Sequence, residues 1–157
     1  MTTKTDQQLH YFETQLKWKE GRVSQTSAKG IDTAIEVVIL PGIARELTGT
    51  WSPEHLFLSS LSSCLMTTFL ALAEKKRLMI SHLKCRVIGR IQMIEDHLEF
   101  TAIDLYPKVN VYKEGDIQIA NEVLLKSYKH CIIANSISSI LVNHGEVVLT
   151  VAGAKAG

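Results

Sequence analysis

Ser52-Pro53-Glu54-His55-Leu56-Phe57-Leu58-Ser59-Ser60-Leu61-Ser62-Ser63-Cys64-Leu65-Met66-Thr67-Thr68-Phe69-Leu70-Ala71-Leu72-Ala73 is the stretch around which the rest of the chain is organised. It opens as a helix. Serine is a good N-cap, proline suits the first helical position, and an acid in the first turn meets the positive end of the macrodipole. From His55 to Ala73 no residue carries a full charge; Lys75, Lys76 and Arg77 then place positive charge at the C-terminal end. The pattern predicts a helix from Pro53 to Lys76. The uncharged run approaches the ~20 residues that span a bilayer. Its hydroxyls (Ser59, Ser60, Ser62, Ser63, Thr67 and Thr68) argue instead for the buried central helix of a globular protein, with no membrane partner. A helix this apolar needs cover on nearly every side. Its own sheet and a second helix cover part, so an obligate homodimer with this helix at its centre is expected.

Upstream, Met1 to Gln8 is polar, lacks the apolar core of a signal peptide, and reads as a flexible lead-in. Leu9 to Lys19 reads as a strand, Glu20-Gly21-Arg22 as a turn, and Arg22 to Ser27 as the return strand. Thr33 to Leu40 is rich in β-branched residues and reads as a third strand, stopped by Pro41-Gly42; Ile43 to Trp51 is a loop. Downstream, Ser81 to Met93 alternates, with Leu83, Cys85 and Val87 on one face and Lys84, Arg86 and Arg90 on the other. With Leu98 to Tyr112 it forms a long hairpin. Gly115-Asp116 opens a second helix to about His130. Ile132 to Leu141 reads as a short irregular helix, Asn143-His144-Gly145 as a turn, and Glu146 to Ala152 as a last strand. The order β-β-β-α-β-β-α-β is an α+β fold with mainly antiparallel pairing, in one domain over residues 1–157.

The 157 residues are 46% apolar and 21% charged with a net charge of +1, so there is no general basic field for nucleic acid or an anionic membrane. Three widely spaced cysteines do not make a secreted disulfide framework; a reducing cytoplasm is expected, where thiols stay free.

Cys64 and Cys131 lie 67 positions apart, each on a predicted helix. Brought together by folding they suit thiol redox chemistry; kept apart they are two buried cysteines. Cys64 follows Glu54 by ten residues, ~15 Å of helix, so the N-terminal dipole cannot activate it. Burial would raise its pKa, and a reactive Cys64 therefore calls for a cation from elsewhere. Arg22, in the strand turn, and Arg45, in the loop before the helix, are the candidates. Each also reads as an ordinary solvated arginine. Glu54 likewise reads as a first-turn acid, or as an organiser of Cys64 chemistry. The second role needs two antiparallel copies, bringing Glu54 of one near Cys64 of the other. Cys85 reads as a small hydrophobe on its strand. His130 and Cys131 are adjacent and chelate poorly, and no zinc-type spacing occurs, so no metal is expected. Nor is any cofactor, since no nucleotide loop or nucleophile elbow is present.

The run Trp51-Ser52-Pro53-Glu54-His55-Leu56-Phe57, followed by Ser62-Ser63-Cys64, resembles the OsmC/Ohr family of osmotically inducible and organic hydroperoxide resistance proteins. That family opens its helix with Asn-Pro-Glu-Glu or Asn-Pro-Glu-Gln, with a cysteine ten residues after the glutamate. Its second motif, Cys-Pro-x-Ser-Asn, is matched by Cys131-Ile132-Ile133-Ala134-Asn135-Ser136. Ile132 stands in the place of proline, and His55 in the place of the acid or amide. The resemblance implies an intertwined dimer with two long central helices and sheets outside. It also implies thiol-dependent reduction of organic hydroperoxides, as in an oxidative stress response. Cys64 would be the peroxidatic thiol and Cys131 the thiol that forms a disulfide with it, with an external dithiol as reductant. The arginine held by Glu54 would be Arg22 in the Ohr-type position, or less readily Arg45 in the OsmC-type position. The same architecture without turnover would be a dimeric module holding an apolar ligand in its interface cleft.

Overall fold

A computed structural model describes residues 9–38 and 49–151. The expected end of the third strand at Leu40, Arg45, and the expected end of the last strand at Ala152 lie outside the described residues. The chain forms two compact units, 1–56 and 57–157.

In the first unit, β1 (Thr14–Glu20), β2 (Val23–Ala28) and β3 (Ile35–Val38) form an antiparallel sheet in chain order. Gly21 and Arg22 are the two-residue link, and Gly21 takes the positive φ of 49° that such a turn asks for. The ladder starts at Thr14, opposite Ala28 at the end of β2, which is why the expected strand loses its first five positions, Leu9 to Glu13. Helix α1 (Pro53–Lys75) begins in this unit and continues through the next. Ser52 caps it as the sequence indicates: its Oγ accepts from the His55 amide at 3.4 Å, and its carbonyl accepts from Leu56 at 3.1 Å. At the other end Arg77 adopts φ 53°, and the Leu78 and Arg77 amides return to the carbonyls of Ala73 and Glu74, both at 2.9 Å. That double return is a Schellman closure, built here without glycine.

In the second unit, β4 (Ile80–Ile94) and β5 (His97–Val111) form the long hairpin, turned at Glu95-Asp96. Helix α2 (Asp116–His130) follows, then one 3-10 turn over Ala134–Ser136, then β6 (Ile140–Asn143) and β7 (Glu146–Leu149). The expected irregular helix to Leu141 is thus only three residues long. The β-branched Ile140 and Val142 instead join the open edge of β5 opposite Ala102 and Asp104. Both β6 and β7 run parallel to β5, so this sheet is mixed.

Pro107 lies inside β5, where a proline normally breaks a ladder. The carbonyls of Leu105 and Val111 accept from the His144 and Thr150 amides, both at 2.8 Å, so the odd residues of β5 turn their backbone groups toward this edge. The N–H that Pro107 lacks falls in the gap between β6, which ends opposite Leu105, and β7, which starts opposite Lys108. The interruption of the edge removes the cost of the proline.

The core of this unit has two clusters, both fed by α1. Phe69 and Ala73 pack with Val109, Val111, Ala120, Val123 and Leu124. Leu61 and Leu65 pack with Ile103, Leu105 and Cys131, and this second cluster carries the thiols.

Candidate functional site

Cys64 lies one turn after buried Leu61, at the margin of the buried stripe of α1, and is half-buried. Cys131 is fully buried at the exit of α2. It leaves the helix at φ −71° and ψ 111°, and its amide donates to the Tyr128 carbonyl at 3.4 Å. The chain then doubles back. The Ala134 amide donates to Cys131 Sγ at 3.4 Å, and the Asn135 amide to the Cys131 carbonyl at 3.0 Å. Tyr128 ties the last turn of α2 to the end of β6 by donating its hydroxyl to Asn143 Oδ1 at 2.5 Å. The result is that the two thiols, 67 residues apart in sequence, lie near enough to shift one another's ionisation.

Their ionisation is driven in opposite directions. Burial pushes the Cys64 thiol up. The Ile133 amide, the Cys131 thiol, the Ile132 amide and the Thr68 hydroxyl outweigh that push and hold it below the ordinary 9.0. None of these four groups is a cation, and all lie in the 57–157 unit. Cys131 is pushed up to about 11, by burial first and then by its neighbour Cys64, whose thiol and negative charge both disfavour a second thiolate. When the pair carries a single negative charge, Cys64 holds it and Cys131 keeps its proton.

Arg22 is exposed in the β1–β2 turn and forms no ion pair among the described residues; Arg45 lies outside them. Glu54 sits in the first turn of α1 with Oε2 buried and without a hydrogen-bond partner among the described residues. A buried carboxylate oxygen in that state is short of a donor. His55 has a legible job. Its Nδ1 accepts the Ser52 amide at 3.2 Å and lies 2.9 Å from Ser52 Oγ. In a capping box that return bond comes from Glu or Gln three residues after the cap, so the imidazole replaces the acid or amide functionally as well as in position.

Cys85 packs on the rim of the same apolar cluster, as a strand hydrophobe should, and burial pushes its thiol up to about 11. Among the described residues no three His, Cys, Asp or Glu side chains are grouped to hold a metal ion. The sequence reading missed Thr68, Ile132 and Ile133 as neighbours of Cys64. Thr68 was findable, since a residue four positions on lies on the same helix face. The two isoleucines act through main-chain N–H groups, which no side-chain pattern advertises.

A family model described as OsmC-like protein matches residues 47–144, running across the boundary between the two units. Similar solved structures include an OsmC-like protein of unknown function from Vibrio cholerae, with 20% identity over 87% of this chain and 99% of that one and a TM-score of 0.76. An organic hydroperoxide resistance protein from Elizabethkingia anophelis has 15% identity over 92% of this chain and 99% of that one, with a TM-score of 0.71. Organic hydroperoxide resistance protein OhrB of Bacillus subtilis has 17% identity over 88% and 98%, with a TM-score of 0.59. No curated protein sequence matches. These likenesses establish a shared fold.

Proposed function

The chain belongs to the OsmC-like protein family, and from that premise we propose that it is a thiol-dependent peroxidase that reduces organic hydroperoxides. The observation that carries the reading is the Cys64–Cys131 pair, with one sulfur held toward the thiolate and its neighbour kept protonated. The Cys64 thiolate attacks the outer oxygen of the hydroperoxide. The O–O bond breaks, the alkoxide takes a proton and leaves as an alcohol, and Cys64 becomes a sulfenic acid. At that moment its negative charge is gone, and with it the repulsion that helps keep Cys131 protonated. Cys131 then displaces water from the sulfenic sulfur to give the disulfide, and an external dithiol reduces it, becoming a disulfide itself. The coupling favours that order, because the reaction of Cys64 removes one of the influences that keep Cys131 protonated, burial being the larger one.

The active form is a homodimer of a single domain, in a reducing cytoplasm that suits three free thiols. Helix α1 buries only Leu61, Leu65, Phe69 and Ala73 within one chain and leaves Leu70 exposed; Leu16 and Trp18 of β1 are exposed as well. A second copy covers the exposed apolar residues of each unit. It also supplies Glu54 with an arginine, Arg22 or Arg45, and brings that pair to the partner's Cys64. The Glu54 oxygen that lacks a donor supports this completion of the site.

Mixing reduced protein with cumene hydroperoxide tests the reading. Two thiols per chain should disappear, with a Cys64–Cys131 disulfide found by peptide mass spectrometry. Cys131→Ser should consume one peroxide and stop at a sulfenic acid that dimedone traps. Unchanged thiol counts in the wild-type protein defeat the proposal.

A further inference from the structure

The residues of β5 that fill the core are Ile103, Leu105, Val109 and Val111, so Asp104, Tyr106 and Lys108 lie on the other face of the sheet. Arg86 of β4 is the register partner of Tyr106 and lays its guanidinium over the ring, 4.4 Å from the centroid. His144, from the β6–β7 link on the opposite side of β5, stacks on the same ring at 4.5 Å and 10°. His144 Nε2 is 2.8 Å from Asp104 Oδ1, and Arg90 Nη2 is 3.2 Å from Asp104 Oδ2. The contacts Arg90–Asp104–His144–Tyr106 thus steady the ring on which Arg86 rests. Beside them, within the 57–157 unit, is an open concavity of about 510 Å³, whose lining includes Lys84, Arg86, Lys108 and Glu146. Lys84 and Lys108 face each other across the strands, a like-charge pair that costs stability when nothing offsets it. Lys108 has its acid, Glu146 at 2.6 Å. Lys84 and Arg86 pair with no acid among the described residues.

We propose that this concavity binds a phosphate group, free or as the monoester of a small molecule, through Arg86 and Lys84. A guanidinium stacked on an aromatic ring keeps the N–H donors of its edge, and its planar fork matches two phosphate oxygens. Lys84, two residues away on the same face and therefore about 7 Å along the strand, adds a second positive charge. The ring removes rotamer freedom from Arg86 before any ligand arrives, so less entropy is lost on binding. Above its second pKa of about 6 a phosphomonoester is a dianion and satisfies both unpaired cations, where a carboxylate satisfies one. Asp104 and Glu146 carry negative charge on the same face and oppose a long polyanion, and the volume is that of a small-molecule site. The site uses neither Cys64 nor Cys131 and is independent of the peroxidase reading.

The test is an NMR titration of the isotope-labelled full-length protein with inorganic phosphate, phenyl phosphate and benzoate, at constant ionic strength and above the second phosphate pKa. Phosphate, phenyl phosphate or both should give saturable shifts at Lys84, Arg86 and Tyr106. Tighter binding of phenyl phosphate identifies an ester as the occupant, and equal or tighter binding of inorganic phosphate identifies the free anion. Arg86→Gln, at an exposed position that leaves the fold intact, should raise the half-saturating concentration about tenfold. Tyr106→Leu removes the ring beneath Arg86 and no charge, and should raise it about threefold. The absence of saturable shifts with either phosphate in the wild-type protein overturns the proposal without recourse to a variant. Binding that Arg86→Gln leaves unaltered overturns it too, as does benzoate binding as tightly as phenyl phosphate.

Discussion

Cys64 and Cys85 are both half-buried thiols packed against the same apolar cluster, yet one is displaced toward the thiolate and the other away from it. Burial opposes ionisation at both. The difference lies in the backbone around them. Cys85 sits in the middle of β4, opposite Pro107, where only the Tyr106 backbone opposes desolvation. Cys64 faces a chain that has just left a helix and has amides to spare. Four neighbouring groups favour the Cys64 thiolate and one favours that of Cys85, and that difference separates the two sulfurs.

Removing each sulfur in turn is the strongest way to break this contrast. Cys64→Ser should reduce dithiol-dependent peroxide consumption to the uncatalysed level, while Cys85→Ser should leave it within twofold of wild type, by order-of-magnitude expectation for a residue outside the chemistry. A rate that falls equally in both variants would erase the distinction. Alkylation should sharpen it. At pH 7.5 the thiolate fraction of Cys64 should exceed that of Cys85 by about a hundredfold or more, because the two values lie on opposite sides of the ordinary one by at least two units in total. The sign is fixed by the directions. As pH falls through the depressed Cys64 value its reaction slows; as pH rises toward 11, Cys85 and Cys131 ionise and the advantage shrinks. Thr68→Val should have a smaller effect, at most about threefold less Cys64 thiolate, since the Thr68 hydroxyl donates to the Cys64 carbonyl at 2.7 Å and is the weakest of the influences that lower the thiol. The smallest effect is expected of Cys85→Ala in urea unfolding. A half-buried strand cysteine behaves as a modest hydrophobe, and its truncation should cost about 1 kcal/mol.

Much of this was legible beforehand. The Ser52-Pro53 start, the capping role of Ser52 and the extent of α1 follow from residue types whose local energetics dominate. The alternation in β4 and β5 fixed the hairpin. The start of β6 falls within Ile132 to Leu141, which reads as helical because its apolar residues and serines follow no clear strand period. The free edge of β5, which decided the matter, belongs to tertiary structure. At the site, charge reasoning asked for a guanidinium near Cys64, and the resemblance paired Cys64 with Cys131. Neither route could reveal Ile132 and Ile133, because as side chains they read only as apolar residues. That the Cys131 backbone would also suit a following proline is likewise conformational, held in the φ and ψ of Cys131.

The hydroxyls along α1 carry one more implication. Ser60, Ser62, Ser63, Thr67 and Thr68 each donate to a carbonyl three or four residues back on the same helix, at 2.6–3.1 Å. The alcohol protons on that surface are therefore already spoken for, while the oxygens keep their lone pairs. Whatever settles on that flank finds acceptors but few donors, and is selected accordingly.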